Sequence, residues 1–225
     1  MERMLSRSEA SDAVGKQGWR FLLGTLRTSV RVTSLTDATT LATRAVDTCG
    51  ADADDHLRID VRPDRVEFVL QTRKSAAVTD RDVELAHRIT AVTEDRTTPA
   101  VDADPRSVQE LELAIDAMDI AAIRPFWKAV LGYTDEPGRT GPTDPLVDPV
   151  GQGPAIWFQQ MTEPRQQRNR IHLDLCVPHD EASARIAEAL VVGGRLLSDR
   201  RAPSFWVLAD AEGNEICVTT WQGRD

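Results

Sequence analysis

The chain has 225 residues, 36 acidic against 27 basic, for a formal charge of -9. That length accommodates one large domain or two of about 100 residues, each able to bury a core, while the acidic balance and the lack of any Lys/Arg run argue against a duplex nucleic-acid partner. With no signal-peptide pattern, no stretch of about 18 consecutive apolar residues and no paired spacing among Cys49, Cys176 and Cys217, the expectation is a soluble, reduced, cytoplasmic protein without a membrane partner.

Taken in chain order, the first half alternates helical and extended patterns. Leu5 to Val14 is a helix candidate and Leu26 to Val32 a strand. Asp37 to Cys49 places Ala38, Leu41, Ala42, Ala45 and Val46 on one helical face, and Gly50 suits a C-terminal cap. Leu57, Ile59 and Val61 alternate with Arg58, Asp60 and Arg62, and Pro63-Asp64 turns the chain into Val66 to Leu70. This is a half-buried hairpin. Thr79 then reads as an N-cap ahead of Val83, Leu85, Ala86, Ile89 and Val92 at helical spacing. The fold class expected for this half is α+β, helices against an antiparallel sheet. A polar, proline-bearing stretch follows, giving expected boundaries of domain 1–95, linker 96–107 and domain 108–225.

Over Leu5 to Val92 the first half resembles the pterin-4a-carbinolamine dehydratases. The matching pieces include Gly18-Trp19, the helix from Asp37, Asp55-His56-Leu57-Arg58-Ile59-Asp60-Val61, Leu70-Gln71-Thr72-Arg73 and Val78-Thr79-Asp80-Arg81-Asp82. The resemblance implies a site at His56, Asp55 and Arg73. It also implies a departure, because the family carries His-His-Pro and Thr-His where this chain reads Asp55-His56-Leu57 and Thr72-Arg73. Dehydrating a carbinolamine needs proton donors and acceptors near neutrality, which imidazoles supply and an arginine does not. Efficient dehydration is therefore not expected, although Asp55 is a candidate base and Arg73 a candidate grip for a carbonyl or anion. The alternative for His56 is an exposed strand residue sharing a polar face with Arg58 and Asp60.

Past the linker, strand Val108–Asp116, helix Ile120–Leu131, a Gly/Pro-rich loop Glu136–Gly153 and strand Pro154–Met161 are followed by a second series. That series reads strand Arg170–Val177, helix Glu181–Val192, strand Ser204–Ala209, turn Asp210–Asn214 and strand Glu215–Trp221. The expected architecture is a duplicated βαβββ domain curved around a pocket. Laid over one another, the copies set Glu112 opposite His172.

This half resembles the vicinal oxygen chelate superfamily, and within it the small glyoxalase-like proteins, through Ala155-Ile156-Trp157-Phe158-Gln159-Gln160, Asn169-Arg170-Ile171-His172-Leu173-Asp174 and Trp206-Val207-Leu208-Ala209-Asp210 through Gly213-Asn214-Glu215. The resemblance implies four ligand positions. These fall on Glu112, Trp157, His172 and Cys217, with Glu215 on the same face of its strand as Cys217. Glu112, His172 and either Cys217 or Glu215 form a donor set able to hold one divalent ion, Zn, Mn, Fe or Ni, whereas Trp157 cannot coordinate. The other reading makes Cys217 a small buried hydrophobe and pairs Glu112 with His172 or Arg170.

Trp157 and Trp206 are expected on cleft-lining strands, where a planar heterocycle would stack while Glu112, His172 and Asp174 orient it. Trp127, beside Phe126, is expected in the core. The implied function is a small-molecule enzyme, lyase, isomerase or dioxygenase-like, with His172 and Glu112 as its catalytic pair. Two alternatives stand beside it: a non-catalytic binding or sequestering protein whose first domain serves dimerisation or docking, and a residual dehydratase using His56. A homo-oligomer is expected from the resemblance.

Overall fold

The computed structural model describes residues 2–93, 108–164 and 171–223. The expected linker 96–107, and Asn169 and Arg170 of the second motif, lie outside them. The chain separates into two compact units, 1–110 and 111–225. No helix among the described residues is long and apolar enough to cross a membrane.

In the first unit the order is α1 (Arg7–Val14), β1 (Arg20–Leu22), β2 (Thr25–Arg31), α2 (Leu35–Cys49), α3 (Ala53–His56), β3 (Leu57–Val61), β4 (Arg65–Leu70) and α4 (Asp80–Thr93). The strands form one antiparallel sheet in the order β1-β2-β4-β3. Ser6 opens α1 through a reciprocal capping box with Glu9, and Ser34 caps α2 by accepting from Asp37 N–H, so both helices begin where an orphan donor meets a side-chain oxygen. One core unites Trp19, Leu26, Leu41, Phe68, Leu70, Leu85 and Ile89. Strand β1 escapes the sequence reading because its hairpin turn is Leu23-Gly24, both with positive φ (43° and 75°). A two-residue primed turn needs that backbone, but it is normally announced by Asn-Gly or Asp-Gly.

In the second unit β5 (Glu112–Ala117), α5 (Ile120–Leu131), β6 (Thr134–Asp135), β7 (Leu146–Val147) and β8 (Ala155–Gln160) precede β9 (Asp174–Cys176), α6 (Ala182–Val191), β10 (Arg195–Arg201), β11 (Phe205–Ala209) and β12 (Glu215–Thr219). Two four-stranded sheets result, β5-β8-β7-β6 and β9-β12-β11-β10. In each, the first and last strands pair in parallel. The helix-facing sides share one core of Ile115, Ile123, Phe126, Trp127, Ile156, Phe158, Ile186, Leu208, Ile216 and Val218. Asp210 locks the halves together: its carboxylate accepts from Trp127 Nε1 at 2.9 Å and from Asn214 Nδ2 at 2.8 Å, and Glu212 accepts from the Met118 and Asp119 N–H groups.

Two expectations need correction. The stretch read as loop Glu136–Gly153 contains β7, held to β8 by a single pair, Leu146 with Ile156. Its remainder is organised by Asp148, whose carboxylate accepts the N–H groups of Val150, Gln152 and Gly153; a side chain at Gly153 would collide with the Tyr133 hydroxyl, 2.1 Å from where its Cβ would stand. Strand β10, Arg-Leu-Leu-Ser-Asp-Arg-Arg, was missed because it is a charged, largely exposed edge strand with register shifts. Such a strand carries no clean apolar alternation.

Candidate functional site

Side-chain alternation gives each sheet of the second unit a helix side and an open side. On the first sheet Leu113, Ile115, Ile156 and Phe158 face the helices, so Glu112, Ala114 and Asp116 of β5 and Trp157 and Gln159 of β8 project from the open side. Trp157 is 37% exposed there. Asp135 turns toward α5, where it accepts from Arg124 and Lys128, so the next residue, Glu136, points to the open side. Burial pushes the Glu136 carboxyl above its ordinary range, Arg139 draws it back down and the neighbouring Glu112 charge adds to the rise. The sequence reading missed Glu136, because its direction depends on a two-residue strand.

On the second sheet Ile216 and Val218 enter the core, leaving Glu215, Cys217 and Thr219 of β12 on the open side with Asp174 and Cys176 of β9, where Asp174 is in register with Cys217. Ile171, His172, Leu173, Glu215, Ile216 and Cys217 line a shallow depression. His172 is exposed and Cys217 buried. The backbone fixes this meeting: Cys217 N–H donates to the Leu173 carbonyl at 2.8 Å.

The structure thus brings His172, just ahead of β9, together with Glu215 and Cys217, and leaves Glu112 on β5 of the other sheet. Among the described residues no hydrogen bond or ion pair is recorded between Glu112 and His172. Nor does any group of three His, Cys, Asp or Glu side chains among them converge to hold a metal ion. With Trp157 where the resemblance implies a second ligand, the residues present do not fit the divalent ion. Trp206 also departs from expectation. It is in register with Val218 and packs against the core, and Val207, paired with Cys217, has the open side instead. Trp127 is buried, 1% exposed, with an edge contact to Phe126.

The candidate histidine of the first unit, His56, has different surroundings. His56 is the last residue of α3, not a strand residue, and is 4% exposed, which corrects the reading of an exposed polar face. The 3-10 turn Gly50–Asp52 leads the chain into that short helix and seats the ring inside. Its Nδ1 lies 2.8 Å from Asp82 Oδ1. A carboxylate only accepts, so Nδ1 donates and Nε2 is the nitrogen left for other work. Asp82 is fully buried, and its second oxygen accepts from Thr72 N–H at 3.1 Å, the Thr72 hydroxyl at 2.8 Å and Thr79 N–H at 2.7 Å. Asp55 and Arg73, the other expected site residues here, are exposed: Asp55 sits 3.9 Å from Lys74 Nζ, and Arg73 donates to the Leu57 carbonyl at 3.1 Å. Asp82 was the residue missed; the Thr79-x-x-Asp82 spacing marked only a helix start.

Comparison with known proteins divides at the same place. Residues 3–92 match the family model of pterin 4 alpha carbinolamine dehydratase, and residues 112–219 match that of a glyoxalase-like domain. The chain carries a pterin-dehydratase-like domain and a glyoxalase-like domain. Among solved structures, a glyoxalase/bleomycin resistance protein/dioxygenase family enzyme from Burkholderia phytofirmans PsJN is 17% identical, with 48% of this chain and 95% of that one covered at a TM-score of 0.40. A transcriptional coactivator/pterin dehydratase from Brucella melitensis is 21% identical, with 40% and 99% covered at 0.37. A possible glyoxalase from Bacillus cereus is 17% identical, with 50% and 98% covered at 0.39. No curated protein matches.

Proposed function

We propose that the protein is a small-molecule enzyme of the glyoxalase, vicinal oxygen chelate type, working on the open sheet sides of its glyoxalase-like domain. The observation that carries this reading is the pocket in which an exposed imidazole, His172, meets Glu215 and Cys217. An imidazole exchanges protons near neutral pH, and Glu215 lies on the same pocket wall. Trp157 supplies an indole face for a planar, heterocyclic ligand, and Glu112, Glu136 and Asp174 offer carboxylates to its polar edge. Trp206 has no part in this site. Among the described residues the donors do not converge on a metal ion. The protein is proposed to act in the cytoplasm as a homo-oligomer, with domains 1–95 and 108–225 joined by the linker 96–107. The test is a panel of planar heteroaromatic compounds titrated against tryptophan fluorescence: His172→Ala and Trp157→Ala should each weaken the ligand that quenches. If neither does, the pocket is not the working site.

A second reading rests on the hydrogen bond from His56 to Asp82 in the dehydratase-like domain. A buried, oriented imidazole is an acid/base group in waiting, so slow carbinolamine dehydration belongs to that domain, with Asp55 and Arg73 in the positions where the family has histidines.

A further inference from the structure

The His56 imidazole is not merely deep in its domain. A particular piece of chain lies over it. Nδ1 is fixed by Asp82, and the carboxylate of Glu2 lies toward Nε2, with Oε1 3.5 Å away. The other oxygen of Glu2 is 3.5 Å from the Thr72 hydroxyl, itself a partner of Asp82. Glu2 therefore reaches both His56 and Thr72 of the polar frame, although its own side chain is 43% exposed against 3% for His56. The segment that delivers it, Glu2 to Leu5, runs as a strap along the start of α4. Arg3 N–H donates to Asp80 Oδ1 at 3.1 Å and Asp80 N–H returns a bond to the Arg3 carbonyl at 3.0 Å. Met4 bridges Thr79, and Leu5 N–H donates to Val78 O at 2.9 Å.

These attachments are few and mostly backbone. Met4 is 63% exposed, and the Arg3 side chain pairs with Glu9 through a largely exposed contact; of the strap, Leu5 alone packs partly against the core. Segments held by exposed hydrogen bonds and little apolar burial open far more easily than the core beneath them. We infer that the Glu2–Leu5 strap is a displaceable cover that closes the Nε2 side of His56, so that access to this imidazole is set by release of the strap and not by unfolding of the domain. The cover belongs to the dehydratase-like domain and stands or falls independently of the function proposed for His172.

The test uses the full chain and diethylpyrocarbonate, which acylates an accessible imidazole nitrogen, with each histidine followed by mass spectrometry. His87, His172 and His179 are exposed and serve as internal references. In the wild type, His56 should be labelled about tenfold more slowly than His172, or slower still; Glu2→Ala and Arg3→Pro should each bring it to within about threefold of that reference, as expected for a local opening. Cys49, buried in the same core, reports the state of the domain and should remain unreactive toward a thiol reagent throughout. Wild-type labelling of His56 at the rate of His172 would overturn the cover, as would a His56 rate unmoved in both variants. Exposure of Cys49 together with His56 would overturn it too, because access would then come from loosening of the whole domain.

Discussion

His56 and His172 place the same functional group in opposite surroundings. His56 is held by a buried carboxylate that is itself held by two backbone N–H groups and a hydroxyl, whereas His172 stands exposed on the rim of a shallow pocket. Orientation without access characterises the first, solvent access the second. A proton-transfer residue needs both at the moment of reaction. The contrast therefore predicts that substitutions in the first domain will act chiefly on stability and those on the open sheet sides chiefly on ligand.

The largest expected effect tests whether orientation alone suffices. With Asp55 and Arg73 in place of histidines, purified protein should dehydrate a pterin carbinolamine about 10²- to 10⁴-fold more slowly than a family member that keeps them, the range that acid/base groups normally contribute. Stopped-flow absorbance of the carbinolamine measures this. Turnover at the family level that is lost in His56→Ala would break the argument.

Next comes the difference in structural role. Asp82→Ala strands His56 Nδ1 and the Thr72 and Thr79 N–H groups inside the fold, and should cost about 3–5 kcal/mol, the scale of breaking a buried charged network. His172→Ala should stay within about 0.5 kcal/mol, as exposed positions do. Urea unfolding followed by circular dichroism compares them; an Asp82→Ala loss below about 1 kcal/mol would show that the frame is not structural.

Much of this contrast was hidden in the sequence, for physical reasons. Helices α2 and α4 were legible because Leu41, Ala45, Leu85 and Ile89 repeat at helical spacing and enter one core. The open side of β8 was legible too, since Trp157 alternates with Ile156 and Phe158. Trp206 was misplaced because the side a strand residue takes depends on its register with a neighbour, here Val218, and a shift of one residue reverses it. The Asp82 partnership with His56 joins residues 26 apart in the chain, and no local pattern records which helix start will pack against which imidazole. Glu136 was unreadable for a simpler cause: a two-residue strand has no periodicity to detect.

The tryptophans sharpen the same distinction inside the glyoxalase-like domain. Trp127→Ala removes a buried indole and its bond to Asp210, and should cost about 3–5 kcal/mol of stability while leaving ligand affinity almost intact. Trp157→Ala, on the open side, should leave the melting temperature nearly unchanged and weaken a stacked ligand by about 0.5–1.5 kcal/mol. Thermal melts and fluorescence titration of both variants separate the two roles. Equal losses of affinity would show that the open side does not hold the ligand.

The smallest effect lies at the start of the dehydratase-like domain, where helix cap and strap meet. Glu9 accepts the Ser6 backbone N–H at 2.8 Å and pairs with Arg3 at 3.1 Å. The Ser6 backbone hydrogen bond, then the Ser6 side chain and Arg3, hold its carboxyl down from 4.5 to about 2. A depressed carboxyl stabilises the fold at pH values above its unfolded value, and that contribution disappears as pH falls through the folded one. The Glu9 contribution should accordingly be complete above about pH 5 and fade between 4.5 and about 2. Glu9→Gln should lower the melting temperature by about 2 °C near neutrality, with the gap to wild type closing across that acid window. A gap that persists unchanged at pH 2 would mean that the amide weakens the cap through shape or hydrogen-bond geometry, and that the charge of Glu9 contributes nothing to holding the strap.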